Sequence, residues 1–496
     1  FAKFIKFNPK NPKWVNRDRF ILSAGHGSAV LYSLFYLLGY EDITLEDLKN
    51  FRQLHSKTAG HPEYGLLAGI EVTTGPLGQG VANGVGMAIA ENILREREVG
   101  INHKTFVLAG DGCFMEGISF EAMSLAGHLG LSNLIYIYDK NNITIDGKLS
   151  LSDSTDFIKR FTSIGFNVFE ANGHDYTEIE AALKLATSTN NGKPSIVIAE
   201  TKIGFSSPSK EGSEKSHGAP LGAEEISKVK KILGLEDTPF ALNEKALALW
   251  REVGELAHKH DSGSFKIANI TEDEIKFEVA KIKDQLNMER KEKATRQHSS
   301  FVLSRLYAKF PNLIGGSADL SESNGVKTEN SIPCSKGNFK GNFIHYGIRE
   351  HAMGAIINGI TLHSNFKALG STFLVFADYM RPTVRLAALM KLPSIFVFTH
   401  DSFMLGEDGP THQPVEHLTS LRIIPNLVVV RPADSIETAE SYELAMLSKS
   451  TPHVVVLSRQ NVKECTPFRK ENMVAKGAYF VSKEALGEIL RGGLEK

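Results

Sequence analysis

The chain has 496 residues, 42% of them hydrophobic, and its 56 basic and 57 acidic side chains leave a net charge of −1. That length exceeds a single hydrophobic core, so two or three domains are expected, and the balanced charge excludes a global attraction for nucleic acid or an anionic membrane. No apolar run reaches the roughly 18 residues of a membrane helix, and the scattered Cys113, Cys334 and Cys465 lack metal-ligand spacing, so a soluble cytoplasmic protein acting on small molecules is expected.

The sequence opens on Phe1 rather than Met, which leaves room for a leader upstream. Over residues 1 to about 260, short apolar runs at 106–109, 134–138 and 195–199 alternate with helical patterns, predicting an α/β domain. The run KTFVLA stops at Gly110-Asp111-Gly112. Ile118, Ala122, Leu125, Ala126 and Leu129 then recur at helical spacing, and LIYIY leads into Asp139 and Asn141. A strand-helix-strand crossover of this kind leaves both strand ends at one edge of the sheet, where open α/β folds bind ligands. Asp111 and Asn141, 30 residues apart, therefore become neighbours. Magnesium takes carboxylate, amide and backbone oxygens, and Asp111, the Asn141 amide and the Ile143 carbonyl offer such a set. Gly110 and Gly112 let phosphate oxygens approach backbone N–H groups. Gly-Asp-Gly alone is an ordinary turn; strand context and the downstream Asn distinguish it.

Residues 272–293, EDEIKFEVAKIKDQLNMERKEK, read as an exposed charged helix, so a linker is expected over 261–295. Apolar runs at 313–314, 394–398, 427–430 and 453–457 predict a second parallel sheet over 296–467. From about Phe468 the sequence turns charged and poorly patterned, and 468–496 is expected to be the stub of a further domain.

Gly110-Asp111-Gly112 followed by Asn141 resembles the thiamine-diphosphate signature, and the wider sequence resembles the transketolase family. SAGHGS (23–28), GHPE (60–63), TTGPLGQG (73–80) and GDGCFMEGIS (110–119) carry the likeness in the first half. GGSADL (315–320), YGIREHAMGA (346–355), GEDGPTHQP (406–414) and LSRQN (457–461) carry it in the second. The resemblance implies an α/β fold of two consecutive thiamine-diphosphate-binding domains, each a mostly parallel sheet flanked by helices. The diphosphate and metal domain would span 1–260 and the pyrimidine-binding domain 296–467. Family chains also carry an upstream Ser-Gly-His segment and a whole C-terminal α/β domain, both expected to lie beyond this sequence.

Breaking a carbon-carbon bond beside a ketone leaves a carbanion that no side chain delocalises, so thiamine diphosphate is the implied electron sink. Mg2+ is the implied metal, with Ca2+ or Mn2+ as substitutes. The implied reaction moves a two-carbon ketol unit from a ketose phosphate to an aldose phosphate, as in the pentose phosphate pathway. Metal and diphosphate groups fall in the first half and the pyrimidine groups in the second, so the cofactor is expected between domains. The family implies a homodimer with shared sites, whereas the sequence alone equally allows a site within one chain.

Glu350 matches the family glutamate that hydrogen-bonds the aminopyrimidine, and the apolar face of Met353, Ile356, Ile357 and Ile360 after it suggests a desolvated, proton-binding carboxylate. Phe373, Phe376 and Tyr379 match the aromatic residues that enclose the pyrimidine ring, though such a stripe also suits a core. Gly75 and Leu77 sit in the cofactor loop, Leu77 matching the residue wedged beneath the cofactor. His26, His61, His217 and His400 match contacts to cofactor or substrate, with His61 and His217 the leading proton carriers. His412 would approach the substrate phosphate and Asp408 a substrate hydroxyl. Arg296, Ser323 and Arg459 match the phosphate-binding positions, where a guanidinium fork suits phosphate oxygens. Glu116 resembles the acidic residue coupling paired active sites. His128, His258 and His260 are given no function. Dihydroxyacetone synthase, which uses formaldehyde as acceptor, and a non-catalytic cofactor-binding paralogue remain alternatives. GEDGPTHQP and LSRQN disfavour a 2-oxo-acid dehydrogenase component.

Overall fold

The computed structural model describes residues 1–98, 100–257, 259 and 269–481. His258, His260, the 261–268 part of the expected linker and the 482–496 part of the expected stub lie outside the described residues. The chain divides into two compact units, Phe1–Lys266 with Leu362–Ser364, and Ile267–Thr361 with Asn365–Lys496. Among the described residues no helix is long and apolar enough to cross a membrane.

The first unit is built on a parallel five-stranded sheet. Its strands are β1 (Arg19–Leu22), β2 (Thr105–Gly110), β3 (Leu134–Lys140), β4 (Asn167–Asn172) and β5 (Ser195–Glu200), in the order β1-β2-β3-β5-β4. The three apolar runs become the three central strands. β1 and β4 lie at the edges, where β4 buries only Ala171 and so gives little apolar signal. Helix Gly117–Leu129 buries Ile118, Ala122, Leu125, Ala126 and Leu129, as their spacing predicts. Gly110 pairs with Asp139, so β2 and β3 release the chain side by side at one edge. Helix Gln79–Arg97 starts after Gly78, whose φ of 80° is unfavourable for other residues. A Cβ there would also sit 2.6 Å from Ile118 Cγ2.

The second unit carries a parallel six-stranded sheet. Its strands are β6 (Leu313–Ser317), β7 (Phe343–His345), β8 (Lys367–Phe373), β9 (Ile395–Asp401), β10 (Val428–Val430) and β11 (His453–Ser458). They run in the order β7-β6-β8-β9-β11-β10. Register between β9 and β11 shifts between Phe398 and Asp401, a bulge that re-aims the end of β9.

The expected exposed linker helix is corrected. Helix Glu272–Glu289 buries Ile275, Val279, Ile282 and Leu286 in the core of the second unit, beside Val302, Leu306 and Tyr442. Lys283 lies on that buried face, where Nζ meets Glu440 Oε1 at 2.8 Å, so its charge is neutralised rather than solvated. The described part of the segment after Phe468 is fastened to helix Ser435–Leu447 mainly by polar contacts. Asn472 Nδ2 donates to Glu440 O and Met473 N to Glu440 Oε2, each at 2.9 Å.

Candidate functional site

Asp111 follows β2 directly and begins the helical turn Asp111–Met115, which sets its carboxylate at the sheet edge with 3% exposure. Oδ1 accepts from Tyr138 Oη at 2.6 Å, while Oδ2 accepts from the backbone N–H groups of Asn142 and Asn141 at 2.9 and 3.2 Å. Asn142 adopts φ 60°, the left-handed turn that delivers both amides. Asn141 Oδ1 in turn accepts from Ile143 N at 3.0 Å. The crossover thus brings Asp111, Asn141 and Ile143 together. Burial raises the Asp111 pKa against the pull of these hydrogen bonds, and Asp139 adds to the rise. Its hydrogen-bond partners are all neutral, so a divalent cation is the natural counter-charge.

A cavity of about 590 Å³ opens beside this carboxylate. Asn141, Ile143, Gly75, Leu77, Gly110 and Gly112 line it, and so do His26, His217 and Glu116. A Cβ on Gly112 would lie 2.9 Å from Leu77 Cδ1, so Leu77 needs the bare glycine to reach its position. Glu116 is exposed between two short helical segments.

His26 sits in the 3-10 turn Gly25–Gly27 and His217 follows another, Glu214–Ser216; their ring centroids are 4.9 Å apart. His61 lies beside Gly75, whose added Cβ would meet His61 Cγ at 3.4 Å. Desolvation lowers all three pKa values, helped at His26 by the other two rings and at His61 by Arg52. For His217, Asp111 pulls the other way. His217 Nδ1 is buried without a hydrogen-bond partner, an orphan that a ligand in this cavity would satisfy. The residues present therefore fit a metal-bound diphosphate cofactor. His128 is exposed on its helix.

In the second unit, Glu350 opens helix Glu350–His363 and is 8% exposed, accepting at Oε1 from Thr372 Oγ1 at 3.0 Å. Met353, Ile356, Ile357 and Ile360 are fully buried behind it. The aromatic spacing is not a stripe on one helix: Phe373 ends β8, Phe376 lies in the 3-10 turn Leu374–Phe376 and Tyr379 in helix Ala377–Leu389. Phe373 and Phe376 stack at 5.7 Å, and Tyr379 meets Phe376 edge-on at 6.0 Å. His400 stacks on Phe373 at 3.8 Å, and His412 stands edge-on to Phe376 at 5.4 Å.

Arg296 Nη1 donates to Ser323 O at 2.7 Å, while its buried Nε has no partner. Burial and the charge of Arg459 lower its pKa. Two guanidinium groups that repel each other, one with an unused donor, suit an anion. Arg459 bonds the exposed Glu407 carboxylate, and Ser323 takes part here through its backbone carbonyl. Asp408 is exposed, and its charge favours protonation of His400.

Sequence reasoning missed Tyr138 and Asn142, which bond Asp111, Thr372, which bonds Glu350, Thr399, which bonds His400, and Asn324, which bonds Thr399. Only Tyr138 left a signal, as a hydroxyl closing the apolar run LIYIY just before Asp139 and Asn141.

Residues 1–289 match the family model for the transketolase thiamine diphosphate binding domain, and residues 291–464 that for the transketolase pyrimidine binding domain. The transketolase of Cereibacter sphaeroides is 46% identical over 497 residues, covering 97% of this chain and 75% of that protein. The transketolase of Sinorhizobium medicae is 47% identical over 504 residues, with 98% and 72% covered. Among solved structures, transketolase from Leishmania mexicana superposes with a TM-score of 0.88 at 41% identity, covering 97% of this chain and 74% of that one. A Pichia stipitis transketolase complex with sedoheptulose-7-phosphate gives 0.88 at 40% identity, with 97% and 75% covered. With both sheets, their cofactor-loop motifs and nearly the full chain length matched, this chain belongs to the transketolase family.

Proposed function

We propose that the chain transfers a two-carbon ketol unit from a ketose phosphate to an aldose phosphate, with thiamine diphosphate held through Mg2+ at Asp111, Asn141 and the Ile143 carbonyl. The observation that carries this reading is the buried Asp111 carboxylate, gripped by neutral donors beside Asn141 at the rim of a glycine-lined cavity. When bound, thiamine diphosphate supplies the electron sink for carbon-carbon cleavage beside a ketone.

The chain's own residues bind, orient and handle protons. Gly75, Gly110 and Gly112 keep the diphosphate approach open and Leu77 supports the cofactor from below, while Glu116 couples paired sites. Glu350 offers the aminopyrimidine the carboxylate oxygen that Thr372 does not occupy. Phe373, Phe376 and Tyr379 exclude water around the ring. His26, His61 and His217, held neutral near pH 7, take protons from substrate hydroxyls. Arg296, Arg459 and Ser323 bind the phosphate end with His412, and Asp408 meets a substrate hydroxyl.

The sugar phosphates in the Pichia stipitis complexes, sedoheptulose-7-phosphate, xylulose-5-phosphate and fructose-6-phosphate, support ketose phosphate donors. Because diphosphate groups lie in the first unit and pyrimidine groups in the second, a homodimer that shares them is proposed, in a cytoplasmic setting. Turnover with a ketose phosphate donor, comparing ribose 5-phosphate with formaldehyde as acceptor, tests the reading. Preference for the aldose phosphate is expected. Preference for formaldehyde would make the chain a dihydroxyacetone synthase, and cofactor binding with no turnover would make it a non-catalytic paralogue.

A further inference from the structure

We propose that Asn324 and Thr399 are positioning residues that fix which nitrogen of His400 carries the proton, committing Nδ1 as donor and leaving Nε2 as an acceptor toward substrate. The inference rests on the reading of His400 as a substrate-facing residue.

The assignment follows from counting protons along one buried chain. Ser317 Oγ donates its single proton to Ser371 O at 3.3 Å, and Ser371 Oγ donates its own to Gly316 O at 3.2 Å. Both hydroxyls can therefore only accept from Asn324, which they meet at 3.4 and 3.1 Å. The amide nitrogen of Asn324 must face the serines, and its Oδ1 must face Thr399. Thr399 Oγ1, 2.6 Å from that oxygen, spends its one proton there. Toward His400 Nδ1, 2.8 Å away, Thr399 has only a lone pair left, so Nδ1 carries the hydrogen.

Ser317, Asn324, Ser371 and Thr399 are all 0% exposed, so no water substitutes for a missing member. The backbone enforces the same arrangement. His400 lies within the bulge in β9 with φ 60°, a conformation costly for a non-glycine residue and retained where surrounding structure demands it. Its ring is pinned on Phe373 at 3.8 Å. Burial and Arg296, opposed by Asp408 and reinforced by Arg459 and His412, bring the His400 pKa down to about 4. The ring is neutral at pH 7, so its tautomer decides what it can do. His400 then accepts a proton or hydrogen bond from a sugar hydroxyl and cannot donate one to a carbonyl.

The test is nitrogen NMR of the whole chain labelled with 15N-histidine, with His400 assigned by its loss in His400→Gln. The expected signal is a pyrrole-type Nδ1 bearing a directly bonded proton and a pyridine-type Nε2. Thr399→Val should move the proton population toward Nε2, and Thr399→Ser should restore the wild-type pattern. A pyridine-type Nδ1 in the wild type, or an unchanged tautomer in Thr399→Val, would overturn the proposal. Turnover of His400→Gln separates the two claims: full activity with the expected wild-type tautomer would remove only the substrate-facing reading.

Discussion

Asp111 shows how the fold fixes both oxygens of a single buried carboxylate. Tyr138 and the amides of Asn141 and Asn142 fix both oxygens without contributing positive charge. Removing one of these orienting donors should weaken the site without abolishing it. Tyr138→Phe is expected to lower magnesium-supported cofactor affinity roughly 10- to 100-fold, measured by titration with thiamine diphosphate. At the other end of the substrate, Arg459→Ala should raise KM for a phosphorylated acceptor by about 10- to 100-fold, the loss of a charge-assisted hydrogen bond. An unphosphorylated acceptor should be nearly unaffected in the same steady-state assay. Asp111 and Asn141 were legible in the sequence because crossover topology alone makes them neighbours. Thr372, Asn324 and Thr399 were not, since their polar atoms are hidden on buried strands or turns and their partners are set by the fold.

Elements were legible where apolar residues dominate and lost where polar partners replace them. Central strands β2, β3, β5, β9 and β11 follow from their runs. β8 is central too, yet Lys-Ala-Leu-Gly-Ser-Thr-Phe carries little apolar signal. Its Gly370 lets Ile357 pack close, a Cβ there falling 2.2 Å from Ile357 Cδ1, and its buried Ser371 and Thr372 are satisfied by hydrogen bonds. Helix Glu272–Glu289 misleads for a related reason. Its apolar residues do recur on one face, but dense Glu and Lys mask them, and Lys283 stands on that face paired with Glu440. Glu440→Gln should strand the buried ammonium and cost about 3–5 kcal/mol in urea unfolding. Adding Lys283→Met to Glu440→Gln should recover much of that loss, because it removes the unpaired ammonium while the Gln amide oxygen can still accept from Met473 N.

At the scale of the whole molecule, buried histidines weaken acid stability: burial holds His103 and His363 well below the ordinary histidine pKa, and three more contribute from the second unit. His298, His400 and His453 each have a pKa lowered to about 4, burial being the largest cause in every case. An unfolded histidine titrates near 6.5, so the unfolded chain binds more protons as pH falls below that value. Stability is therefore expected to hold above about pH 6.5 and to drop progressively toward pH 4, at a scale of roughly 3 kcal/mol per histidine. Urea midpoints across that range check the trend, and replacing His453 with Gln should flatten it. The balanced charge and two parallel sheets supply a neutral scaffold whose chemistry is concentrated at strand ends. At one of these strand ends, on the proposed reading, Asp111 anchors a magnesium-bound diphosphate. The most direct test of that reading is calorimetric titration of thiamine diphosphate into wild type and Asp111→Ala, with and without Mg2+. Strong binding confined to wild type with Mg2+ is predicted, and equal magnesium-dependent binding by both proteins would contradict it.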